Sequence, residues 1–289
     1  MSLATILAVI DGAPGSEAAM GAALQLGRRF SAHVDLLYVE IDVTNAAPVI
    51  GEGMSGAAVE QVMQSLRVEA QTRLAEARRL YERHCVGAKL PLAEPDAAPQ
   101  PGKFAVSFRH VVGREAAEVL RRGRLSDVIV LARPGREAVG AVSATFDAAL
   151  FDSGRPVLLV PAAPVERLGR TVVVAWNRSR EAARAVGAAL PLLAKAESVV
   201  VLTARETEDA AEPSELARYL GAHGIAARTW AFTPGPGPIG GALLGEADKA
   251  GADLMVMGAY GHSRLRELVL GGATRGVLGQ GEIPVFMVH

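Results

Sequence analysis

The chain repeats one pattern of apolar segments twice. Residues 5–11, Thr-Ile-Leu-Ala-Val-Ile-Asp, return as residues 171–177, Thr-Val-Val-Val-Ala-Trp-Asn. Near the end of each half, a short apolar run follows a proline, Pro156 in the first half and Pro284 in the second. Unbroken runs of β-branched and aliphatic residues are typical of strands that are buried on both faces of a parallel sheet. The sequence therefore predicts two copies of one fold.

Helical segments alternate with these strands. Residues 59–80, for example, carry apolar side chains at helical spacing with Glu and Arg between them, which predicts an amphipathic helix packed on the core. Strands that alternate with helices pair in parallel through right-handed crossovers. We therefore predict an α/β protein of two tandem doubly wound domains, at 1–162 and 168–289, divided near the Pro-Ala-Ala-Pro segment 161–164.

Composition excludes several classes of function. The 289 residues, 50% of them hydrophobic, suffice for one large core or two ordinary ones. The 30 basic and 31 acidic residues give a formal net charge of -1, which argues against a nucleic-acid or membrane-binding surface. The N-terminus lacks the charged region of a signal peptide and no apolar run approaches the roughly 20 residues of a membrane span, so we expect a cytoplasmic protein. Cys85, the only cysteine, allows no intramolecular disulfide and is expected to be buried in a helix.

One segment of the second half has the composition of a phosphate-binding site. Gly258 and Gly261 end a predicted strand in a turn, where the missing Cβ atoms let backbone N–H groups approach a ligand. Further on, residues 271–274, Gly-Gly-Ala-Thr, open a predicted helix whose free N–H groups and dipole favour an anion. The two small-residue clusters are spaced to hold one polyphosphate between them.

At these residues the sequence resembles the universal stress protein family in its nucleotide-binding form, whose motif is Gly-x2-Gly-x9-Gly followed by Ser or Thr. Gly258, Gly261 and Gly271 match the spacing. Gly272 stands where the hydroxyl residue is expected, and Thr274 supplies a hydroxyl two residues later. The resemblance implies a five-stranded parallel sheet of order 3-2-1-4-5 in each domain, with helices on both faces. It also implies that the fifth strands join the domains as a pseudo-dimer, while association of two chains stays open.

The resemblance further implies ATP as the ligand, with Mg²⁺ or Mn²⁺ as a candidate ion on its phosphates. Asn177 occupies the position of an Asp that contacts the nucleoside in relatives, and its amide serves either the ligand or the turn. His262 either reaches a phosphate, or a metal ion bound to it, or is an exposed imidazole of the loop. The predicted nucleotide-binding residues are Asn177, Gly258, Gly261, His262, Ser263, Gly271, Gly272, Ala273 and Thr274.

The first half lacks the glycine motif. Ala132 aligns with Gly258, Gly135 with Gly261, and residues 143–146 fall near the Gly-Gly-Ala-Thr cluster. Asp11, in contrast, keeps the acid that Asn177 replaces in the second half. We therefore expect one nucleotide per chain, bound by the second half. A different small ligand in the first half is the alternative.

A second glycine motif has a different interpretation. Residues 235–240, Gly-Pro-Gly-Pro-Ile-Gly, match the dinucleotide fingerprint literally. Its prolines remove N–H donors that a pyrophosphate needs, and no acid ends the next strand to bind a ribose. In the sheet that the resemblance implies, this loop follows an edge strand, away from the ligand crevice.

No catalytic motif identifies a general base. The sequence contains no His-Glu-x-x-His, no Gly-x-Ser-x-Gly and no Walker-type Gly-Lys-Ser/Thr. We favour an ATP-binding protein with a regulatory or sensing role in stress response. The alternatives are a slow ATPase or phosphate-transferring enzyme on the same site, and a scaffold that binds no nucleotide.

Overall fold

The computed structural model describes residues 3–41, 56–133, 144–205, 213–259, 277 and 282–289. Its strands are β1 (Thr5–Val9), β2 (His33–Ile41), β3 (Ala105–Gly113), β4 (Val128–Ala132), β5 (Val157–Val160), β6 (Thr171–Ala175), β7 (Ser198–Ala204), β8 (Ala227–Phe232), β9 (Leu254–Gly258) and β10 (Val285–Val288). Its helices are α1 (Ser16–Phe30), α2 (Gly56–Tyr81), α3 (Glu115–Gly123), α4 (Ala144–Asp147), α5 (Arg180–Ala194), α6 (Pro213–Ala222) and α7 (Ile239–Lys249). Helices α2 and α4 continue into π-helical turns, Glu82–Val86 and Ala148–Asp152.

All ten strands belong to one sheet, in the order β3-β2-β1-β4-β5-β10-β9-β6-β7-β8. Neighbouring strands within each half pair in parallel. The predicted α/β class is therefore confirmed. The two halves share one continuous sheet because β5 and β10 pair with each other, antiparallel, at its centre. Neither fifth strand lies at an edge.

Helices cover both faces of this sheet. Successive strand residues point to opposite faces, so Val172 and Val174 join one core and Val173 the other. Helices α1, α2, α5 and α6 bury Leu26, Leu80, Leu192 and Leu220 on the first face. Helices α3, α4 and α7 bury Val119, Phe146 and Leu243 on the second. Each helix in the described residues is too short or too polar to cross a membrane.

The two faces fix where a ligand crevice forms. After β1 and β6 the chain enters α1 and α5 on the first face, whereas α4, after β4, lies on the second. Val277, between β9 and β10, is also buried on the second face. Connections thus leave in opposite directions at the carboxyl ends of β1 and β4, and of β6 and β9, which is where ligands bind in open α/β sheets.

The seam between the halves is close to two-fold symmetric. Phe286 lies opposite Leu158 in the β5–β10 ladder, and each is the second residue after its proline. On the adjacent helices, Arg29 follows Asp11 by 18 positions (29 − 11), as Lys195 follows Asn177 (195 − 177). Each of these two cations donates to the backbone carbonyl of the other. Equivalent residues therefore meet their counterparts across the seam.

Cys85 is fully buried in the π-helical turn after α2, as predicted. Burial raises the pKa of its thiol to about 11. Because the thiolate is the reacting form, we expect the native protein near pH 8 to react with a thiol reagent on the order of 100-fold more slowly than the denatured chain. Labelling with Ellman's reagent, with and without guanidinium, measures the two rates. Equal rates would contradict a buried thiol.

Candidate functional site

The structure describes two of the nine predicted site residues, Asn177 and Gly258. They lie at the carboxyl ends of β6 and β9, which are neighbours in the sheet. The other predicted residues lie outside the described part of the chain: Gly261, His262, Ser263, Gly271, Gly272, Ala273 and Thr274.

Asn177 stabilises the turn between β6 and α5. Its Oδ1 accepts a hydrogen bond from the backbone N–H of Ser179 at 3.1 Å. The Ser179 hydroxyl in turn accepts from the N–H of Ala182 at 3.1 Å and caps α5. The Asn177 side chain is exposed, and its amide nitrogen makes no hydrogen bond within the residues described. The turn thus uses the oxygen and leaves the N–H donors available.

Gly258 has a packing role at the end of β9. A Cβ atom added there would lie 2.4 Å from the backbone nitrogen of Ala182 and 2.6 Å from the carbonyl carbon of Glu181. The missing side chain therefore lets the first turn of α5 contact the strand directly. Sequence reasoning assigned this glycine to ligand approach and missed the contact with the helix.

The first half has the same contact between its first helix and its fourth strand, but there the glycine belongs to the helix start and not to the strand. Gly15 follows Asp11 by four positions (15 − 11), as Glu181 follows Asn177 (181 − 177). A Cβ atom on Gly15 would lie 2.5 Å from the Cβ of Ala132, the counterpart of Gly258. Each half thus keeps one glycine where its first helix meets its fourth strand.

Helix α2 covers the crevice of the first half. Gly12, in the turn after β1, has φ +75°, and a Cβ atom there would lie 2.2 Å from the carbonyl oxygen of Arg73 in α2. The hydroxyl of Tyr38, in β2, donates to the carbonyl oxygen of Ala70 at 3.0 Å. The backbone of α2 therefore lies against the carboxyl ends of β1 and β2.

Two carboxyl groups lie at this covered edge. Asp11 accepts hydrogen bonds from the Ser16 hydroxyl at 2.7 Å and from the N–H of Ala13 at 3.0 Å. Glu115 accepts from the Thr145 hydroxyl at 2.6 Å. Burial raises the pKa of Glu115, and the charge of Asp11 raises it further. An edge with two acids already bonded to the chain is unfavourable for a polyphosphate.

The second half replaces the glycine of this turn with Arg178. Arg178 has φ +62°, in the same left-handed region as its counterpart Gly12. Its guanidinium pairs with Glu215 of α6, with Nη2 and Oε2 2.9 Å apart, and both side chains are largely exposed. Arg178 thus has an exposed side chain at the position where Gly12 lies against the backbone of α2 in the first half. The sequence signal for this difference was the alignment of Arg178 with Gly12.

Known proteins resemble this chain in sequence and in fold. Residues 233–289 match the model of the Universal stress protein family. The C-terminal part of the chain is therefore similar to this family in sequence. This region contains Gly258 and the whole predicted glycine motif through Thr274.

The structural likeness extends over both halves. A universal stress protein from Archaeoglobus fulgidus DSM 4304 is 18% identical to this chain, with a TM-score of 0.66. The match covers 98% of this chain and 94% of that protein. A functionally unknown protein from Pseudomonas aeruginosa PAO1 is 16% identical, with a TM-score of 0.56. Here the match covers 99% of this chain and 92% of that protein. Identities this low show a shared fold. A comparison with curated proteins finds no significant match.

The segment matched by the family model also contains the loop 235–240, which matches the dinucleotide fingerprint. This loop follows β8, an edge strand that lies two strands from β6. It is therefore away from the crevice between β6 and β9, as the sequence predicts. Within the described residues, no group of three or more His, Cys, Asp or Glu side chains is placed to hold a metal ion.

Proposed function

We propose that this chain is a tandem universal stress protein whose second half binds ATP as a regulatory or sensing ligand. In this proposal residues 1–162 and 168–289 are two domains that form an intramolecular pseudo-dimer through β5 and β10. The observation that carries it is the contrast between the two crevices. Helix α2 and two acids occupy the edge of the first crevice. The second exposes Asn177 and Arg178 after β6, the strand next to that of Gly258, where the family-matched glycine segment begins in the sequence.

Each residue of the second crevice has a defined task in this proposal. The glycines at 258, 261 and 271 bring backbone N–H groups to the phosphates, and Thr274 adds a hydroxyl. The free amide N–H₂ of Asn177 donates to the nucleoside. Arg178 adds positive charge near the phosphates, which Mg²⁺ or Mn²⁺ accompanies. Mass spectrometry of ligand released from natively purified protein tests whether ATP is the bound molecule.

We expect one ATP per chain, and we expect Gly261→Val to abolish its binding. A branched Cβ at residue 261 fills the space through which the backbone approaches the phosphates. Isothermal titration calorimetry measures affinity and stoichiometry. Gly135→Val in the first half is the matched control and should leave binding unchanged. Two sites per chain, or equal sensitivity at Gly135 and Gly261, would overturn the asymmetric arrangement.

The same purified protein distinguishes ATP binding alone from slow ATP hydrolysis. Residues 258–274 contain the predicted phosphate-binding motif, but no residue of the sequence is identified as a general base. Phosphate release from bound ATP no faster than the spontaneous rate favours a binding function. Release that is faster, and lost in Gly261→Val, would favour a slow ATPase. Failure to bind any nucleotide would leave the scaffold alternative.

A further inference from the structure

A row of three residues crosses the carboxyl edge of the second half. Ala175 in β6 lies opposite Leu202 in β7 and Met257 in β9. The next residue on each strand continues this register, and the N–H of Trp176 donates to the carbonyl of Leu202 at 2.9 Å. Trp176, Thr203 and Gly258 therefore stand side by side. They share the face covered by α5 and α6, because Val174, Val201 and Val256, two positions earlier, share that core.

Two polar atoms in this row have no partner within the described residues. The indole N–H of Trp176 is buried, and so is the hydroxyl of Thr203, whose residue is 1% exposed. Buried polar side chains in proteins nearly always have a hydrogen-bond partner. Two unpaired neighbours at the end of a ligand crevice therefore indicate a partner that the described residues do not supply.

The first half provides an internal control. Ile10 follows Thr5 as Trp176 follows Thr171, and it carries no polar atom. Tyr38 stands five positions after His33 (38 − 33), as Thr203 does after Ser198 (203 − 198), and its hydroxyl donates to Ala70 of α2 at 3.0 Å. The covered half thus satisfies this row with its own helix. In the second half, the described residues leave the Trp176 indole N–H and the Thr203 hydroxyl without a partner.

We infer that Trp176 and Thr203 recognise the base of the bound nucleotide, an inference that rests on the proposed function. An indole N–H only donates, whereas a hydroxyl also accepts. The Watson–Crick edge of adenine offers a ring nitrogen that accepts and, beside it, an amino group that donates. Trp176 donates to the ring nitrogen, and Thr203 accepts from the amino group.

The spacing of the row fits this assignment. Neighbouring strands lie about 4.8 Å apart, so Thr203 is on the order of 10 Å from Gly258, where the glycine motif begins. A nucleoside spans a comparable length between its base edge and its first phosphate. The half-buried indole packs against the apolar core of the first face, which suits a planar base better than a phosphate.

Inosine triphosphate, whose base is hypoxanthine, distinguishes these contacts to the base from contacts to the sugar and the phosphates. It carries an N–H where adenine has the accepting ring nitrogen, and this N–H would face the N–H of Trp176. We therefore expect the native chain to bind ATP about tenfold more tightly than inosine triphosphate, a difference of one directed hydrogen bond. Trp176→Phe and Thr203→Val should each weaken ATP binding by about tenfold and reduce this preference.

Calorimetric titration of the full chain with both nucleotides measures these affinities. Trp230→Phe is the control, because Trp230 is the only other tryptophan and packs on the opposite face. It should keep native affinity, and the fluorescence of its remaining Trp176 should change when ATP binds. Without ligand, Thr203→Val should be at least as stable as the native chain, because it removes an unpaired buried hydroxyl.

Each outcome separates the inference from the function on which it rests. ATP binding with unchanged affinity and unchanged preference in Trp176→Phe and Thr203→Val overturns the inference and leaves the proposed function standing. A native chain that binds no ATP overturns both. A less stable ligand-free Thr203→Val shows that the hydroxyl has a partner within the chain and also overturns the inference.

Discussion

Gly258→Ala should destabilise the protein by about 3 kcal/mol, the upper part of the range for overpacking. The added Cβ would lie 2.4 Å from the nitrogen of Ala182 and 2.6 Å from the carbonyl carbon of Glu181. Both are backbone atoms in the first turn of α5, which the Ser179 cap fixes. No side-chain rotation relieves this overlap, so the helix must shift from the sheet. Denaturant unfolding followed by tryptophan fluorescence measures the loss, because both tryptophans lie in the second half.

The first half supplies the control for this variant. Gly15→Ala should also destabilise, since its Cβ would lie 2.5 Å from the Cβ of Ala132. The next nearest atom is 3.8 Å away, so adding Ala132→Gly should restore stability to within about 1 kcal/mol. Adding Glu181→Gly to Gly258→Ala should not do so, because backbone atoms remain too close. An unchanged stability of Gly258→Ala would mean that α5 moves freely, and that this glycine is needed only for a ligand.

The strands were predictable because their signal is local. An apolar run such as 128–132 or 254–257 has no polar face, and only a strand buried on both faces accommodates it at that length. The repeat added that both halves share one fold. Joining of the halves into one sheet followed from the resemblance, since nothing local in β5 or β10 specifies the strand beside it.

The asymmetry of the two crevices was only partly predictable. The periodicity of α2 indicated a buried face, but not that its backbone lies on the turn at Gly12, which is 61 positions (73 − 12) from Arg73. That the first half binds no nucleotide, inferred from its missing glycines, stays a prediction. The structure adds that α2 and two acids lie at its crevice. Such contacts depend on how a long helix crosses the sheet, and no short segment specifies that.

The packing role of Gly258 and the row at Trp176 were missed for a similar reason. A glycine that admits a helix and a glycine that admits a phosphate look alike in sequence, because both need only a missing Cβ. The Trp176 and Thr203 atoms, which have no partner among the described residues, are recognised as neighbours only from the register of β6 and β7. The residues of the motif beyond Gly258 stay predictions, since they lie outside the described part of the chain.

Phe286→Ala should lower the free energy of unfolding by about 3–5 kcal/mol, the range for a large aromatic removed from a core. Phe286 is fully buried at the centre of the seam, opposite Leu158. Its loss leaves a cavity that borders both halves, so we expect both halves to become less stable. The chain carries a natural probe for each half: Cys85 in the first, and Trp176 with Trp230 in the second. Thiol labelling and tryptophan fluorescence along one denaturant series measure the two midpoints.

Phe286→Leu is the matched control, because leucine is the residue that the first half has at the equivalent position, Leu158. This change removes less volume and should cost under about 1.5 kcal/mol. If the seam couples the halves, both midpoints coincide in the native chain and fall together in Phe286→Ala. A fluorescence midpoint that falls while the labelling midpoint of Cys85 stays in place would mean that the halves unfold independently. In that case the antiparallel β5–β10 ladder would join the halves without stabilising the first, and the pseudo-dimer would be a geometric relation only.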